Sequence, residues 1–389
     1  MKRTRTATPR KTATTRKTAT TRKTEPDTLG IAVIQPRLTA GEVEANLELC
    51  ANLVREASVR HSPDVILLPE AMTSPNVFLP AMRSVPQPVD GAPYQMITGL
   101  ARELGCTVGG GFLSVRGEHA RHTYVLAEPD GTTHLHDKDQ PSMWENNFYT
   151  SGTDLGITTT AFGNVGTVMG YEWARSRTAR RLRGKVDVVL GGSCFWSGPT
   201  WPVLKELLTR DHHYNVGMVQ EMAGRMARMT GAPCAVAQHV GPIDSDTPLL
   251  PGIGWSTMFP GESQIVDASG NVLVRLGPDD INAIGFARVE IGAKEPIQPI
   301  PNGFWTQPMA GIVKAIWFYQ NAHGRAAYAL RHARHGFPWQ DQRSRNLPNY
   351  IPAPTLEIAA EPSVPAEVEA EAGNEVETEV RAVSTAAGR

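Results

Sequence analysis

Apolar residues run almost unbroken over residues 29–35 (LGIAVIQ) and again over 64–69 (DVILLP), the pattern of strands buried on both faces. Between them, Val43, Leu47, Leu49, Cys50, Leu53 and Val54 recur at helical spacing within residues 41–60, with charged positions between them. The same reading predicts strands over 107–111, 122–127, 132–136, 163–169, 186–190, 234–238, 261–267, 272–276 and 285–289. It predicts helices over 94–104, 173–183, 203–209 and 214–230. Strand, helix, strand, then short paired strands around Gly131 and Gly270, is the rhythm of a mixed sheet layered with helices, not of an all-β or bundle fold. After Ile291 comes an extension whose aromatic-rich segment 317–332 reads as one more helix, of the kind that often docks subunits.

Composition narrows the picture. A chain of 389 residues that is 41% hydrophobic can bury the core of one large α/β domain or two ordinary ones. No stretch approaches the roughly 18 apolar residues of a membrane span, and the basic amino terminus has no apolar segment behind it, so neither membrane insertion nor secretion is expected. Four cysteines, Cys50, Cys106, Cys194 and Cys234, lie far apart without a CxxC pair. They suggest no disulfide framework and no metal site, and the expected compartment is reducing and cytoplasmic. No cofactor motif is present, and HHY at 212–214 reads as a loop and not as a ligand pair.

The net charge of -1 hides an asymmetry. Residues 1–24 hold nine Lys/Arg and no acid, in a repeat TATPRK, TATTRK, TATTRK, whereas residues 357–389 hold eight Glu and two Arg. The expected division is a disordered basic head over 1–27, a core over 28–292, a partly helical extension over 293–355 and a disordered acidic tail over 356–389. The head can be read as a contact for nucleic acid or another anionic partner, with phosphorylatable Thr residues; its composition favours the plainer reading of a solvated extension.

Three polar clusters stand at strand ends. Glu70 follows the apolar strand 64–69 and Pro69, where a carboxylate is either a poised base or a surface cap. The segment HDKDQPSMWENNFYTSG (136–152) places Lys138 and Glu145 among Trp144, Phe148 and Tyr149, aromatic walls that exclude water and strengthen charge interactions. In NVGTVMGYEWARSRTARRL (164–182) a strand breaks at Gly170 into a helix starting near Trp173, the elbow geometry that exposes a nucleophile.

In this order the clusters resemble the carbon–nitrogen hydrolase (nitrilase/amidase) superfamily over about residues 29–292. Glu70 in LLPEAMTS matches the family's general base, Lys138 its catalytic lysine, and Glu145 the further glutamate that orients the site. FPGESQIVDASGNVL (259–273) is similar to the strand pair that closes the family's sandwich. The resemblance implies an α-β-β-α sandwich whose protomers dimerise into a four-layer αββα-αββα stack, and a pocket for a small amide, nitrile or carbamoyl compound.

One position departs from the family. Where members carry the nucleophilic cysteine, followed by an aromatic and an acid, VMGYEWAR has Gly170, then Tyr171 and Glu172. Without a thiol the covalent sequence cannot begin. Three readings follow: a pocket impaired in covalent hydrolysis, an active amidase or nitrilase using Cys194 or Glu70-activated water, and a non-catalytic scaffold or binding subunit. Cys194 ends the strand after the elbow helix and is the one cysteine placed to substitute, against the plain reading of a pocket-wall or core thiol; Cys50, Cys106 and Cys234 read as packing. Trp144, Tyr171, Glu172 and Trp196 are the candidate substrate contacts, and Met143-Trp144, Trp196–Trp201 and a loop over 239–258 the candidate walls.

Overall fold

The computed structural model describes residues 28–198, 205–247, 250–308 and 311–338, so the expected disordered head and acidic tail lie outside the described residues. The first half of the chain gives β1 (Thr28–Gln35), α1 (Val43–His61), β2 (Val65–Leu67), β3 (Gln87–Pro88), α2 (Ala92–Leu104), β4 (Thr107–Arg116), β5 (His119–Ala127) and β6 (Thr133–Asp137). The second gives β7 (Ile157–Thr160), β8 (Gly163–Met169), α3 (Ser176–Leu182), β9 (Val188–Ser193), α4 (Lys205–Thr230) and β10 (Cys234–Gln238). It continues with β11 (Val240–Thr247), β12 (Leu250–Pro260), β13 (Gln264–Val266), β14 (Val272–Arg275), β15 (Ala283–Glu290) and α5 (Gly311–His335).

Two sheets result. One has the order β15-β1-β2-β4-β5-β6 with β3 beside β4, and the other the order β14-β13-β10-β9-β8-β7. The alternation along β1 shows how they stack. Ile31 and Val33 pack with Leu67, Leu190, Ala235 and Ile265 between the sheets, while Ala32 and Ile34 pack outward with Leu47, Cys50, Leu53 and Val54 of α1. On the far side, Val189 and Val236 meet Met218, Met222 and Met226 of α4. The chain is therefore a mixed α/β sandwich with helices on both outer faces, and Cys50, Cys106 and Cys234 are all buried within its packing. The outer helices are punctuated locally: α2 opens with a proline in its first turn and closes at Gly105, whose left-handed backbone lets its N–H reach the Ala101 carbonyl.

Gly192 of β9 lies directly against the turn that follows β2. A Cβ on Gly192 would lie 2.2 Å from the Glu70 backbone nitrogen and 2.5 Å from the Pro69 carbonyl carbon. Gly192→Ala is expected to push the Glu70 turn outward and to cost about 1–3 kcal/mol in urea unfolding, the usual penalty of overpacking; an unchanged midpoint would contradict this contact.

Three expectations are corrected. Residues 203–209 and 214–230 are not separate helices: α4 runs unbroken through the polar stretch RDHH, and HHY lies inside it, with His212 Nδ1 2.9 Å from Ser197 Oγ. The stretch 239–258 is not a loop but most of the hairpin β11–β12, in which Val240 pairs with Pro260 and Asp244 with Ser256. The elbow helix begins not near Trp173 but as a 3₁₀ turn over Gly170–Ala174, which breaks at an extended Arg175 before α3. The extension helix, α5, packs within its own chain, against the turn Met143–Asn147 and the elbow.

Candidate active site

Glu70 sits past the end of β2, in a turn whose backbone is tied on several sides. Gly111 N–H donates to the Pro69 carbonyl at 3.2 Å, His239 Nε2 donates to the Glu70 carbonyl at 2.6 Å, and Ala71 N–H donates to His122 Nε2 at 3.1 Å. Burial pushes both imidazoles down, His239 to about 4 and His122 well below the usual range, so both stay neutral and can serve as fixed hydrogen-bonding posts.

Lys138 leaves the end of β6, and Glu145 stands on the 3₁₀ turn Met143–Asn147. Lys138 Nζ lies 2.9 Å from Glu145 Oε2, 3.2 Å from Glu145 Oε1, and 3.5 and 3.4 Å from the two Glu70 oxygens. Glu145 is further held by Ser142 N–H at 2.7 Å, by the Tyr149 hydroxyl at 2.5 Å and by Asn76 Nδ2 at 3.1 Å. Burial works against the Lys138 ammonium, but Glu145 and Glu70 outweigh it and raise its pKa. Burial raises Glu70 to about 8, opposed by Lys138 and reinforced by Glu145. Glu70 and Lys138 are each 1% exposed. One Glu70 oxygen accepts Cys194 N–H at 3.2 Å; the other makes no hydrogen bond among the described residues, the state of a carboxyl ready to exchange a proton.

Gly170 opens the elbow turn with φ of 50°, in the left-handed region that favours glycine. A Cβ placed on it would lie 2.6 Å from Glu70 Oε1 and 2.7 Å from Lys138 Nζ. The structure thus brings Glu70, Lys138, Glu145 and Gly170 to one point. The Cys194 side chain borders them: its Sγ accepts Asn76 N–H at 3.4 Å, and burial, then the Glu70 carboxylate, push the thiol well up.

The aromatic candidates form the surround. The Trp144 and Trp196 rings lie 4.4 Å apart, and Trp255 packs on both. Trp255 also lines a cavity of about 390 Å³ with Leu79, Asp244, Asp246 and Ser256. Tyr171 turns its ring onto Phe195, Trp305 and Trp317. Glu172, expected at the substrate, is corrected: it is fully buried and both its oxygens are engaged. One accepts Met169 N–H at 2.8 Å and meets His136 Nε2 at 3.0 Å, and the other accepts Asp139 N–H at 3.1 Å. His136 also meets Asp154 at 2.5 Å. Burial would depress its pKa, but Asp154 and Glu172 raise it to about 10, and His136 in turn helps hold Glu172 well below the carboxylate range. This buried ion triad locks the elbow to β6 just before Lys138.

Sequence reasoning missed Asn76, Tyr149, His136, Asp154, His122 and His239 as parts of this network. Tyr149 and His136 lay within the quoted motif; for the others no spacing signal exists, because each acts across 18 or more residues of chain. Among the described residues no cluster of three or more His, Cys, Asp or Glu is placed to hold a metal ion, and no helix is long and apolar enough to cross a membrane.

Comparison with known proteins adds a family. The carbon–nitrogen hydrolase family model matches residues 30–291. Among solved structures, the chain is similar to a carbon–nitrogen hydrolase superfamily protein of Xanthomonas campestris with an arsenic adduct in its active site (16% identity, 80% of this chain and 96% of that one, TM-score 0.52). It is similar to a carbon–nitrogen hydrolase from Helicobacter pylori G27 (19% identity, 68% and 89%, TM-score 0.54). A third is a variant of the amidase from Nesterenkonia sp. AN1, with the product of acrylamide addition at its active-site cysteine (19% identity, 68% and 93%, TM-score 0.53). No curated protein matches the sequence.

Proposed function

Because the chain belongs to the carbon–nitrogen hydrolase family, we propose that the Glu70–Lys138–Glu145 cluster lines a pocket for a small amide, nitrile or carbamoyl compound, impaired in covalent hydrolysis because Gly170 stands at the nucleophile's position. The observation that carries this reading is the Gly170 geometry: the missing side chain would begin within 3 Å of both Glu70 and Lys138. In the family's hydrolytic scheme a cysteine thiolate attacks the substrate carbon. The glutamate takes up and returns the proton, the lysine steadies the developing charge, and water releases the acyl group. Here the proton-handling and charge-handling groups are assembled and the thiol is not. Glu145 anchors Lys138, Trp144 and Trp196 wall the pocket, and the Glu70 oxygen that accepts no hydrogen bond, 3.4 Å from the Lys138 ammonium, is the acceptor for a substrate N–H.

A second reading is favoured by the Cys194 N–H bond to Glu70, which sets that cysteine beside the same carboxylate. Its raised thiol pKa weighs against it, since the neutral thiol is a poor nucleophile. The same family reading includes a homodimer stacked in four layers and a cytoplasmic location. Intact-protein mass spectrometry after incubation with a panel of amides and nitriles tests the pair of readings. The expected result is an unmodified chain; an acyl or thioimidate adduct on Cys194 would replace the first reading by the second. Native spectra of the same samples should show two copies, and a monomer at micromolar concentration would remove the dimer.

A further inference from the structure

The helix α5 lies beyond the matched segment, which ends at residue 291, yet it packs directly on the two pieces of backbone that carry the site. The buried Asn321 Oδ1 accepts the Met143 N–H at 2.8 Å and the Asn146 side-chain amide at 2.9 Å, two residues of the turn that presents Glu145. Met143 is held there with φ of 51°, a strained backbone for a residue with a side chain. Gly324, one helical turn on, is pressed so close to the turn that a Cβ on it would lie 2.7 Å from Asn146 Cβ. Farther along, Arg331 donates to the Asn147 carbonyl at 2.7 Å. At the other end, Trp317 packs edge-on to Tyr171 of the elbow, 5.1 Å between centroids, and lies under the Arg175 guanidinium, which itself donates to Ser142 Oγ at 3.3 Å.

We propose that α5 is a working part of the pocket and that Asn321 is a positioning residue, whose oxygen sets the strained 143–147 turn so that Glu145 reaches Lys138. The proposal rests on the reading of Glu145 as part of the pocket and deepens it: the C-terminal extension completes the site. A hydrogen bond whose loss leaves a buried N–H unsatisfied is costly to break, and here one oxygen serves two donors. Only a small residue at 324 allows the helix to come near enough for that oxygen to reach them.

The test reads geometry and not turnover, so it is independent of whether any amide binds. The first readout is hydrogen exchange of the amides of residues 142–149. The second is the ¹⁵N signal of the Lys138 ammonium in lysine-labelled protein, visible only while its protons are held against exchange. Asn321→Ala is expected to speed exchange of the turn by at least about tenfold and to abolish the Lys138 signal. Asn321→Asp, which keeps the acceptor oxygen, should restore both. Tyr328→Phe removes a different α5 contact, the hydroxyl that accepts Ala120 N–H at 3.1 Å, and should leave both unchanged. If Asn321→Ala does not fold, Gly324→Ala gives the same readouts by spacing the helix from the turn, and the same losses are expected. Unchanged exchange and an intact Lys138 signal in the folded Asn321 or Gly324 variant would overturn the proposal, as would an equal effect from Tyr328→Phe.

Discussion

Gly170→Cys is expected to release ammonia from small amides at least about tenfold faster than the natural chain, a barrier lowering of about 1.4 kcal/mol or more. The new Cβ would start 2.6 Å from a Glu70 oxygen and 2.7 Å from Lys138 Nζ, and both are the far ends of flexible side chains that can swing aside. Once they do, the thiol has a carboxylate to take its proton and an ammonium to steady its charge. A side chain at φ of 50° adds backbone strain, so a stability loss of about 1–3 kcal/mol should accompany the gain. Cys194→Ala in the same background should leave the gain in place. An inert Gly170→Cys protein that still binds amides would show that the neighbouring groups no longer support acyl transfer.

His136→Gln is expected to lower unfolding stability by about 3–5 kcal/mol, the typical result of removing one partner from a buried ion pair, because Asp154 then loses its cation and Glu172 keeps only Arg181, 3.5 Å from its other oxygen. The pH dependence has a definite sign. The folded pKa of His136, raised to about 10, stands above its unfolded value of about 6.5, so its contribution is complete below pH 6.5 and fades as pH climbs toward 10. Glu172 works in the opposite direction: its folded pKa is depressed, so its contribution is present above the unfolded value and fades in acid. The natural chain should therefore lose more stability than His136→Gln between pH 7 and 9.5 in urea titrations. Parallel curves for the two proteins over that range would remove the charged-imidazole assignment.

The central strands were legible where apolar residues cluster: β10 (CAVAQ) matches the expected 234–238 and β1 differs from 29–35 by one residue, β8 matches 163–169, and the polar β7 (ITTT) was not expected. The family was legible because its residues sit in ordered local motifs. What escaped depended on partners distant in sequence. The hairpin 240–260 is rich in Gly, Pro, Asp and Ser and has no apolar run, so only its cross-strand pairing marks it as sheet. The sequence of α4 reads as broken at RDHH because four polar residues obscure the apolar stripe, which resumes at Met218. Glu172 follows an aromatic at the elbow, as the family pattern requires, and nothing local indicates that His136, 36 residues earlier, would claim it.

The docking of α5 has a consequence in time. Ribosomes add about 5–20 residues per second, so the 45 residues from the end of β15 at Glu290 to the end of α5 at His335 take roughly 2–9 s to emerge. During that interval every strand of both sheets has been synthesised while the turn bearing Glu145 still lacks the helix that braces it. The nascent sandwich therefore lacks the cover that Trp317 gives Tyr171, a window in which a chaperone, or the wrong partner, meets the unfinished pocket first.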